Sequence, residues 1–447
     1  MEVIFNFSIT TDRLKKTKGL LQLSFAPSCI FVLPQTMYNM SKDSEKKLVG
    51  QPIFKQLVDF LPKNKFDLLV QKHGSDKYYK TFSSWKHLVS LLFGILSRCD
   101  SMGEICDGML ALQGKLSYFG FENSPAKSTA GDGLRGRSNE LFKDYYFDLL
   151  NHFSSTLSVS RIKDVSFEKL YIFDSTTIRL FSDIMKGVGR NPLGDGKKKG
   201  GLKVHMMIDA HSDSAKFVTI SEAKMHDKNF LNHLILSVGS MIVFDKAYNH
   251  YLQFAQWTQG QINFVCRLKS NAIYQVEELI CEHSLKDGES GVIKVEHIHM
   301  SYNENKQAKK LCLRKVTYRD EKERVFEFIT NNFTISAQEV ALLYKKRWNI
   351  ELLFKKLKQN FQLHYFYSET ENGIKTQVWC TLIAHLLLQV LKALSKTKKA
   401  FSTIAALVRI HLISHLEIYW ILNNCRRTYV KTKKEIIKFD AIQQAFF

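Results

Sequence analysis

The sequence has few of the residues that usually mark domain borders, disulfides or zinc ribbons. It contains six prolines in 447 residues, and no two of its eight cysteines form a C-x-x-C pair. A disulfide framework and a zinc ribbon are therefore not indicated, and a reducing compartment such as the cytoplasm is favoured. With so few prolines, domain borders have to be inferred from changes in the hydrophobic period.

Long apolar runs of the kind that enter membranes are also scarce. Residues 20–33 are fairly apolar and follow three lysines, but polar residues interrupt them and no small-residue cleavage site follows. The run 378–391 is too short to span a bilayer and contains His385 and Gln389, so we predict a buried core helix there. We therefore expect no membrane association.

Acidic residues are scarce relative to basic ones. Asp and Glu number 43 against 64 for Lys and Arg, which gives a formal net charge of +21. The remaining composition, 45% hydrophobic and 24% charged, is ordinary for a folded protein, and the length leaves room for two or three domains. A positive excess attracts polyanions, so nucleic acid is the first partner to test and an anionic membrane the second.

Changes of period divide the chain into six segments. Residues 1–40 lack regular patterning and are predicted to be a tail or the product of a start codon assigned too early. Residues 41–165 have apolar residues at helical spacing and many lysines, which indicates either a helical DNA-binding domain or helices with a solvated basic surface. The remaining predicted segments are strand-rich at 166–269 and 270–333 and helical at 334–395 and 396–447.

The order of predicted elements in residues 166–269 is three strands, helix, strand, helix, strand. The helices are predicted at 229–238 and 250–258. This is the order of a ribonuclease-H-like sheet, so the predicted fold class is α/β. The strands are predicted at 170–173, 203–208, 216–220, 241–244 and 262–268, with three more at 292–299, 311–318 and 324–329.

Two of the predicted strands end in aspartate, at Phe173-Asp174 and Phe244-Asp245. If those strands are neighbours, both carboxylates emerge at the same edge of the sheet. Paired carboxylates suit Mg²⁺, and two such ions can activate an attacking oxygen and stabilise a leaving one in phosphoryl transfer. The alternative is that each aspartate only caps the turn after its strand.

A third carboxylate lies on a helix predicted to start at Ser336, which has capping-box spacing with Glu339. At about 100° per residue, one face of this helix is polar and the adjacent stripe is apolar. Charged residues at such spacing also form ordinary salt-bridged surface rows. The polar face consists of Tyr344, Arg347, Glu351, Lys355 and Lys358, and the apolar stripe of Leu343, Ile350, Leu353, Phe354, Leu357 and Phe361.

The spacing Tyr344, two residues, Arg347, three residues, Glu351, six residues, Lys358 resembles the Y-(2)-R-(3)-E-(6)-K signature of the IS4 family of bacterial DDE transposases. Further segments carry the same resemblance, which covers about residues 50–424. It implies a ribonuclease-H-like catalytic core with a β-rich insertion at 270–333, plus a helical N-terminal domain and a helical C-terminal region. These segments are Asp174-Ser-Thr, Gly201-Leu-Lys203-Val-His205, Asp245-Lys-Ala-Tyr248 and Phe264-Val-Cys-Arg267.

The resemblance implies that Asp174, Asp245 and Glu351 are the catalytic residues and hold two Mg²⁺ ions, with Mn²⁺ able to substitute. Many family members have glycine where this chain has Ala247, which puts a glycine-dependent backbone contact in doubt. The residues expected to contact DNA are Tyr344, Arg347, Lys358, Lys355, Lys203, His205 and Lys246. The basic loop at 186–201 is a further candidate for phosphate contact.

The chemistry that the resemblance implies is hydrolysis of one DNA strand at the end of the element, followed by attack of the freed 3′-OH. The expected partners are inverted-repeat ends, target DNA and a second copy of the chain, in the bacterial cytoplasm at the nucleoid. Two alternatives stay open at this point: a DNA-binding remnant that has lost catalysis, and a ribonuclease-H-like nuclease without strand transfer.

Overall fold

The computed structural model describes residues 22–25, 29–32, 50–157, 166–179, 189–190, 199–222 and 227–424, apart from 113, 213, 287, 362 and 364. The described residues divide into two compact units, one within residues 1–51 and one within residues 52–447. In the first unit, β1 (Gln22–Phe25) pairs antiparallel with β2 (Cys29–Val32). The tail predicted at 1–40 lies largely outside the described residues.

The second unit begins with helices. Two of them start at serines whose side chains accept a hydrogen bond from the first turn, Ser83 from the N–H of Lys86 and Ser101 from that of Glu104. This part of the sequence, in which apolar residues recur at helical spacing, therefore forms helices. They are α1 (Ile53–Val58), α2 (Lys63–His73), α3 (Ser84–Ser97), α4 (Met102–Leu110), α5 (Lys127–Gly136), α6 (Glu140–His152) and α7 (Ser154–Leu157).

A mixed sheet of ten strands forms the centre of the second unit. One helix, α8 (Tyr251–Gln259), lies between its fifth and sixth strands along the chain. The strands are β3 (Leu170–Arg179), β4 (Gly189–Arg190), β5 (Lys199–Asp209), β6 (Ser214–Glu222), β7 (Met241–Phe244), β8 (Asn263–Arg267), β9 (Gln275–Glu282), β10 (Gly291–Glu304), β11 (Gln307–Arg319) and β12 (Val325–Thr330).

The sheet order is β4-β5-β3-β7-β8-β12-β11-β10-β9, with β6 also paired to β5. β3 runs antiparallel to β5 and parallel to β7, and β7 runs parallel to β8. β12 pairs antiparallel with β8. The strands of residues 270–333 therefore continue the same sheet instead of forming a separate one.

Helices follow the sheet to the end of the described chain. The helix predicted after Ser336 starts there, and the Ser336 hydroxyl accepts a hydrogen bond from the N–H of Glu339 at 3.0 Å. It is interrupted at Arg347, which is a turn residue between two helices. These helices are α9 (Ala337–Lys346), α10 (Trp348–Phe361), α11 (Glu371–Ser395), α12 (Phe401–Ile410) and α13 (Ile418–Asn424).

Two local predictions were wrong, and one strand was missed. β3 does not end at Asp174, because its pairing with β5 continues to Arg179. The helix predicted at 229–238 is a 3₁₀ segment at 227–233 followed by irregular chain. β9 was not predicted, since its side chains are mostly exposed and it lies at the edge of the sheet, where little burial shapes the sequence.

The apolar run 378–391 lies inside α11, and its side chains are buried except for Gln389. At 25 residues α11 is longer than predicted, and among the described residues it is the one helix long and apolar enough to cross a membrane. Its most apolar stretch is 72% buried within the protein. Helices α3 and α6 pack against it, and Trp379 contacts the ring of Tyr146 at 5.9 Å. The prediction of a buried core helix is confirmed.

Candidate active site

Asp174 and Asp245 occupy corresponding positions on neighbouring parallel strands. Phe173 of β3 and Phe244 of β7 are paired in register, so each aspartate is the next residue along its strand. β7 ends at Phe244, and both phenylalanine side chains are fully buried. The two carboxylates are thereby brought to the same edge of the parallel pair.

Arg347 joins the first aspartate to the glutamate of α10. Its Nη1 donates to Oδ2 of Asp174 at 2.8 Å, and its Nη2 donates to Oε1 of Glu351. The side chains of Arg347 and Asp174 are only 14% and 17% exposed. The apolar stripe beside Glu351 is buried, which sets the side of α10 that faces the sheet.

Tyr344 reaches the second aspartate from the last turn of α9. Its hydroxyl donates to Oδ1 of Asp245 at 2.9 Å, and its ring packs on Phe328 of β12 at 4.7 Å. The turn at Arg347 separates this contact from those of α10. Tyr344, Arg347 and Glu351, predicted to share one helix face, thus face the two aspartates together.

Burial is the largest single influence on the pKa values of Asp174 and Arg347. It raises the pKa of the Asp174 carboxyl to about 6, and the negative Asp245 and Glu351 add to the rise, while the N–H of Ser175 and Arg347 oppose it. Burial lowers the pKa of Arg347, but Tyr344 and the carboxylates outweigh it, so the net shift is upward. The positive charge near Asp174 is therefore too small to keep the pKa of its carboxyl at the ordinary value.

The ligand atoms that the group offers are carboxylate oxygens, which are the ligands that Mg²⁺ prefers. The guanidinium of Arg347 is the cation between Asp174 and Glu351. The ligand oxygens of these three carboxylates do not all lie within 4.8 Å of one another. Among the described residues, one other group of side chains meets this condition. These carboxylate oxygens fit divalent ions that would replace part of the ion-pair contact of Arg347 with Asp174 and Glu351.

The other cations predicted to contact DNA lie around the same edge. Lys358 donates to the carbonyl of Thr177 at 3.1 Å, three residues after Asp174 on β3. Lys246 follows Asp245 and is exposed, as is Lys355 on α10, while Lys203 on β5 is half-buried. Of the basic loop at 186–201, the side chains of 186–200 lie outside the described residues.

One predicted DNA contact is wrong. His205 is fully buried, its ring stacks on Phe230 with centroids 3.7 Å apart, and its Nε2 lies 3.1 Å from the Ser221 hydroxyl. A side chain in this position does not reach a phosphate.

The alanine at position 247, where many family members have glycine, is accommodated, because Ala247 lies in a 3₁₀ turn without a positive φ.

Sequence patterns did not identify the residues that pack beside Asp245 from the neighbouring strand. Cys266 of β8 is buried, and its thiol donates to Oδ1 of Asn249 at 2.8 Å, with the carbonyl of Asp245 at 3.7 Å. A cavity of about 1040 Å³ opens in front of Asp245 and is lined by Arg267, Phe326 and Trp348 among others. The pairing of β8 with β7 on one side and with β12 on the other brings Asp245, Arg267 and Phe326 together.

Comparisons with known proteins agree with this geometry. Residues 166–387 match the family described as Transposase DDE domain, and residues 49–122 match one described as a domain of unknown function (DUF4372). A solved structure of a piggyBac transposase synaptic complex with hairpin DNA is 12% identical over 83% of this chain and 82% of that one. Its TM-score is 0.39, too low to establish a common fold.

Several relatives are transposases of insertion sequences. A putative transposase, y4zB, of Sinorhizobium fredii is 27% identical over 44% of this chain, and the match spans 55% of its own length. The IS231C transposase of Bacillus thuringiensis is 22% identical over 77% of this chain and 80% of that protein. A putative IS4SA transposase of Synechocystis is 26% identical over 59% and 71%. Residues 166–387 thus belong to the Transposase DDE domain family, and the chain is similar to transposases of insertion sequences.

Proposed function

We propose that this protein is a DNA transposase that cuts DNA at the ends of an insertion sequence and joins the freed 3′-OH ends to target DNA. One observation carries the proposal. Asp174 and Asp245 follow paired residues of two parallel strands, and Arg347 links the first of them to Glu351 on α10. Three carboxylates from distant parts of the chain are thereby brought near one another, and Asp245 and Arg347 line a cavity of about 1040 Å³.

The strand arrangement supports a ribonuclease-H-like core within the sheet. Strands β6, β5, β3, β7 and β8 are consecutive neighbours, of which β5 is antiparallel to both β3 and β6 while β3, β7 and β8 are parallel. On this interpretation, residues 166–269 and 334–395 form the core and 270–333 the β-rich insertion. Of the two remaining segments predicted to be helical, 41–165 and 396–447, we assign DNA binding to the first.

We assign the metal ligands to Asp174, Asp245 and Glu351, which hold Mg²⁺ or Mn²⁺. Divalent ions held at these oxygens would supply the charge needed to activate the attacking oxygen and to stabilise the leaving oxygen of the phosphodiester. Tyr344 fixes the Asp245 carboxylate through its hydroxyl, and Arg347 fixes those of Asp174 and Glu351. Lys358, Lys355, Lys246 and Lys203 supply positive charge for the phosphates along this edge.

The partners follow from the reaction. The DNA partners are inverted-repeat ends and target DNA, and two copies of the chain pair two ends, so we assign a homodimer to the active complex. The excess of basic residues favours binding to both DNA partners. We place this activity in the bacterial cytoplasm at the nucleoid.

The decisive experiment is the substitution Glu351→Ala, assayed on the inverted-repeat ends that flank the gene. We expect nicking with Mg²⁺ or Mn²⁺ to be abolished while binding to the ends stays detectable, because the fold keeps its apolar contacts. Glu371→Ala is the matched control, since Glu371 is an exposed helical glutamate paired with Lys375. Retained cleavage in Glu351→Ala would contradict the assignment of the three carboxylates.

Two measurements separate the rival functions. Wild-type protein that binds the ends but never nicks them with either ion would be a DNA-binding remnant. Protein that nicks the ends but does not join a pre-cut 3′-OH end to plasmid DNA would be a nuclease without strand transfer. We expect both nicking and joining.

A further inference from the structure

A second cluster of potential metal ligands lies in the strands of residues 270–333. Glu277 of β9, His299 of β10 and Cys312 of β11 place one ligand atom each within 4.8 Å of the others. Their positions, 22 and 13 residues apart in sequence, follow no metal-binding motif. Strand pairing brings them together.

The register explains each contribution. His299 and Cys312 are directly opposite each other on antiparallel strands, which places their side chains on the same face. Glu277 is the extra residue of a β-bulge, because His297 pairs with Glu278 and the next residue, Ile298, pairs with Val276. A bulge redirects a side chain, and here it lets the Glu277 carboxylate approach the pair on the neighbouring strands.

One oxygen is the focus of the cluster. Oε2 of Glu277 lies 2.7 Å from Nε2 of His299 and 3.7 Å from Sγ of Cys312. Ligands around a tetrahedral zinc ion are about 3.3–3.8 Å apart, so small side-chain movements would open these contacts to the required spacing. Without metal, the Glu277 carboxylate is contacted by the His299 imidazole and accepts a hydrogen bond from the Cys312 thiol.

We propose that Glu277, His299 and Cys312 form a binding site for a thiophilic divalent ion, Zn²⁺, which ties the edge strand β9 to β10 and β11. Thiolate, imidazole and carboxylate together select zinc over Mg²⁺, whose ligands are oxygens. Glu277 is half-exposed, which leaves the fourth coordination position to water. The site is distinct from the carboxylates of the proposed active site and has a structural role.

Cobalt is the probe, because Co²⁺ bound to a thiolate gives a sulfur-to-cobalt charge-transfer absorption that oxygen ligands do not give. We expect the full-length protein, kept free of thiol reductants, to develop this absorption with saturation at one equivalent. One equivalent of Zn²⁺ should then remove it. Zn²⁺ should also raise the thermal unfolding midpoint of the wild-type protein.

Matched variants identify the ligands. Cys312→Ser should abolish the absorption and the thermal shift, and His299→Gln should weaken cobalt binding at least tenfold. Cys281→Ser is the control, since Cys281 lies on β9 opposite Val295 and outside the cluster, and it should keep the wild-type absorption. Circular dichroism checks that each variant is folded.

The outcome is independent of the transposase proposal, because no DNA is involved, and Glu351→Ala should keep the absorption. No charge-transfer absorption in the folded wild-type protein would show an ordinary hydrogen-bonded cluster and overturn the inference. So would an absorption that persists in Cys312→Ser.

Discussion

At the scale of single residues, Arg347 and Tyr344 determine how the three carboxylates are held. Arg347 is largely buried yet bridges two acidic side chains on different elements. An arginine fits this position because its planar guanidinium offers donors in two directions, which a lysine ammonium does not. Tyr344 does for Asp245 what Arg347 does for Asp174 and Glu351.

Tyr344→Phe tests this positioning directly. The substitution removes the hydrogen bond to Asp245 but keeps the ring that packs on Phe328. We expect the free energy of unfolding to fall by about 1–2 kcal/mol, because a partly buried carboxylate loses its donor. Urea titration measures the change, and Tyr118→Phe at an exposed position serves as control. Equal stability of the two variants would contradict the role of the hydroxyl.

At the scale of elements, β10 and β11 carry a buried ion pair. Nζ of Lys315 lies 2.8 Å from Oε2 of Glu296, and both residues are at most 5% exposed. Tyr274 and Glu327 also contact the ammonium. A buried pair of this kind stabilises the fold weakly as a whole, but breaking it is costly because one charge is left behind.

Lys315→Met should therefore destabilise the protein by about 3 kcal/mol, since Glu296 stays buried with less compensation. Adding Glu296→Gln should recover at least half of the loss, because it removes a buried negative charge whose remaining cationic partner is Lys294, 2.9 Å away. Chemical denaturation of the two variants and the wild-type protein measures both steps. A double variant less stable than Lys315→Met would argue against charge as the cause.

The core helix α11 contributes a pH dependence. His385 is 5% exposed, and burial, with a smaller effect of Lys356, lowers its pKa to about 3. Between pH 3 and 6.5 the unfolded chain binds a proton at this residue that the folded protein does not bind. Its contribution to stability is therefore complete above pH 6.5 and declines as the pH falls toward 3.

His385→Leu should show a shallower loss of stability on acidification. Relative to the wild-type protein it should gain up to about 2 kcal/mol between pH 7.5 and pH 5, the effect of 1.5 pH units below the unfolded pKa. Urea unfolding at both pH values gives this difference independently of any packing change, which affects both values alike. Parallel pH profiles would show that His385 does not contribute.

At the scale of the whole molecule, distant segments share one structure. Helices α3, α5, α6 and α7 pack on α11, and strands β9–β12 extend the sheet that carries Asp174 and Asp245. The charge of +21 is distributed so that described lysines at 246, 355 and 358 lie around the carboxylates. A polyanion that approaches this edge meets both these cations and the proposed metal ligands.

The salt dependence of DNA binding tests this distribution. Lys355→Ala should weaken binding to the element ends and reduce the slope of log K against log salt concentration by about 1, as expected for the loss of one phosphate contact. Fluorescence anisotropy at several salt concentrations measures the slope. An unchanged slope would place Lys355 outside the DNA interface.

The sequence predicted much of this architecture because local patterns carry it. Period and capping indicated most strands and the helix start at Ser336, and β7 was predicted at its exact bounds. The helix break at Arg347 and the length of β3 were not predictable, because the first is set by contacts to Asp174 and Glu351 and the second by pairing with β5. The burial of His205 likewise depends on Phe230, which is distant in sequence.

The sequence by itself determined which side chains are candidate metal ligands and their order along the chain. The spacing from Tyr344 to Lys358 could be recognised because it lies within one local stretch. Only the tertiary structure decided which side chains meet. The parallel pairing of β3 with β7 aligned the aspartates, and the bulge in β9 brought Glu277 to His299 and Cys312. The physical reason is that strand register depends on packing between residues far apart in sequence, which no local pattern records.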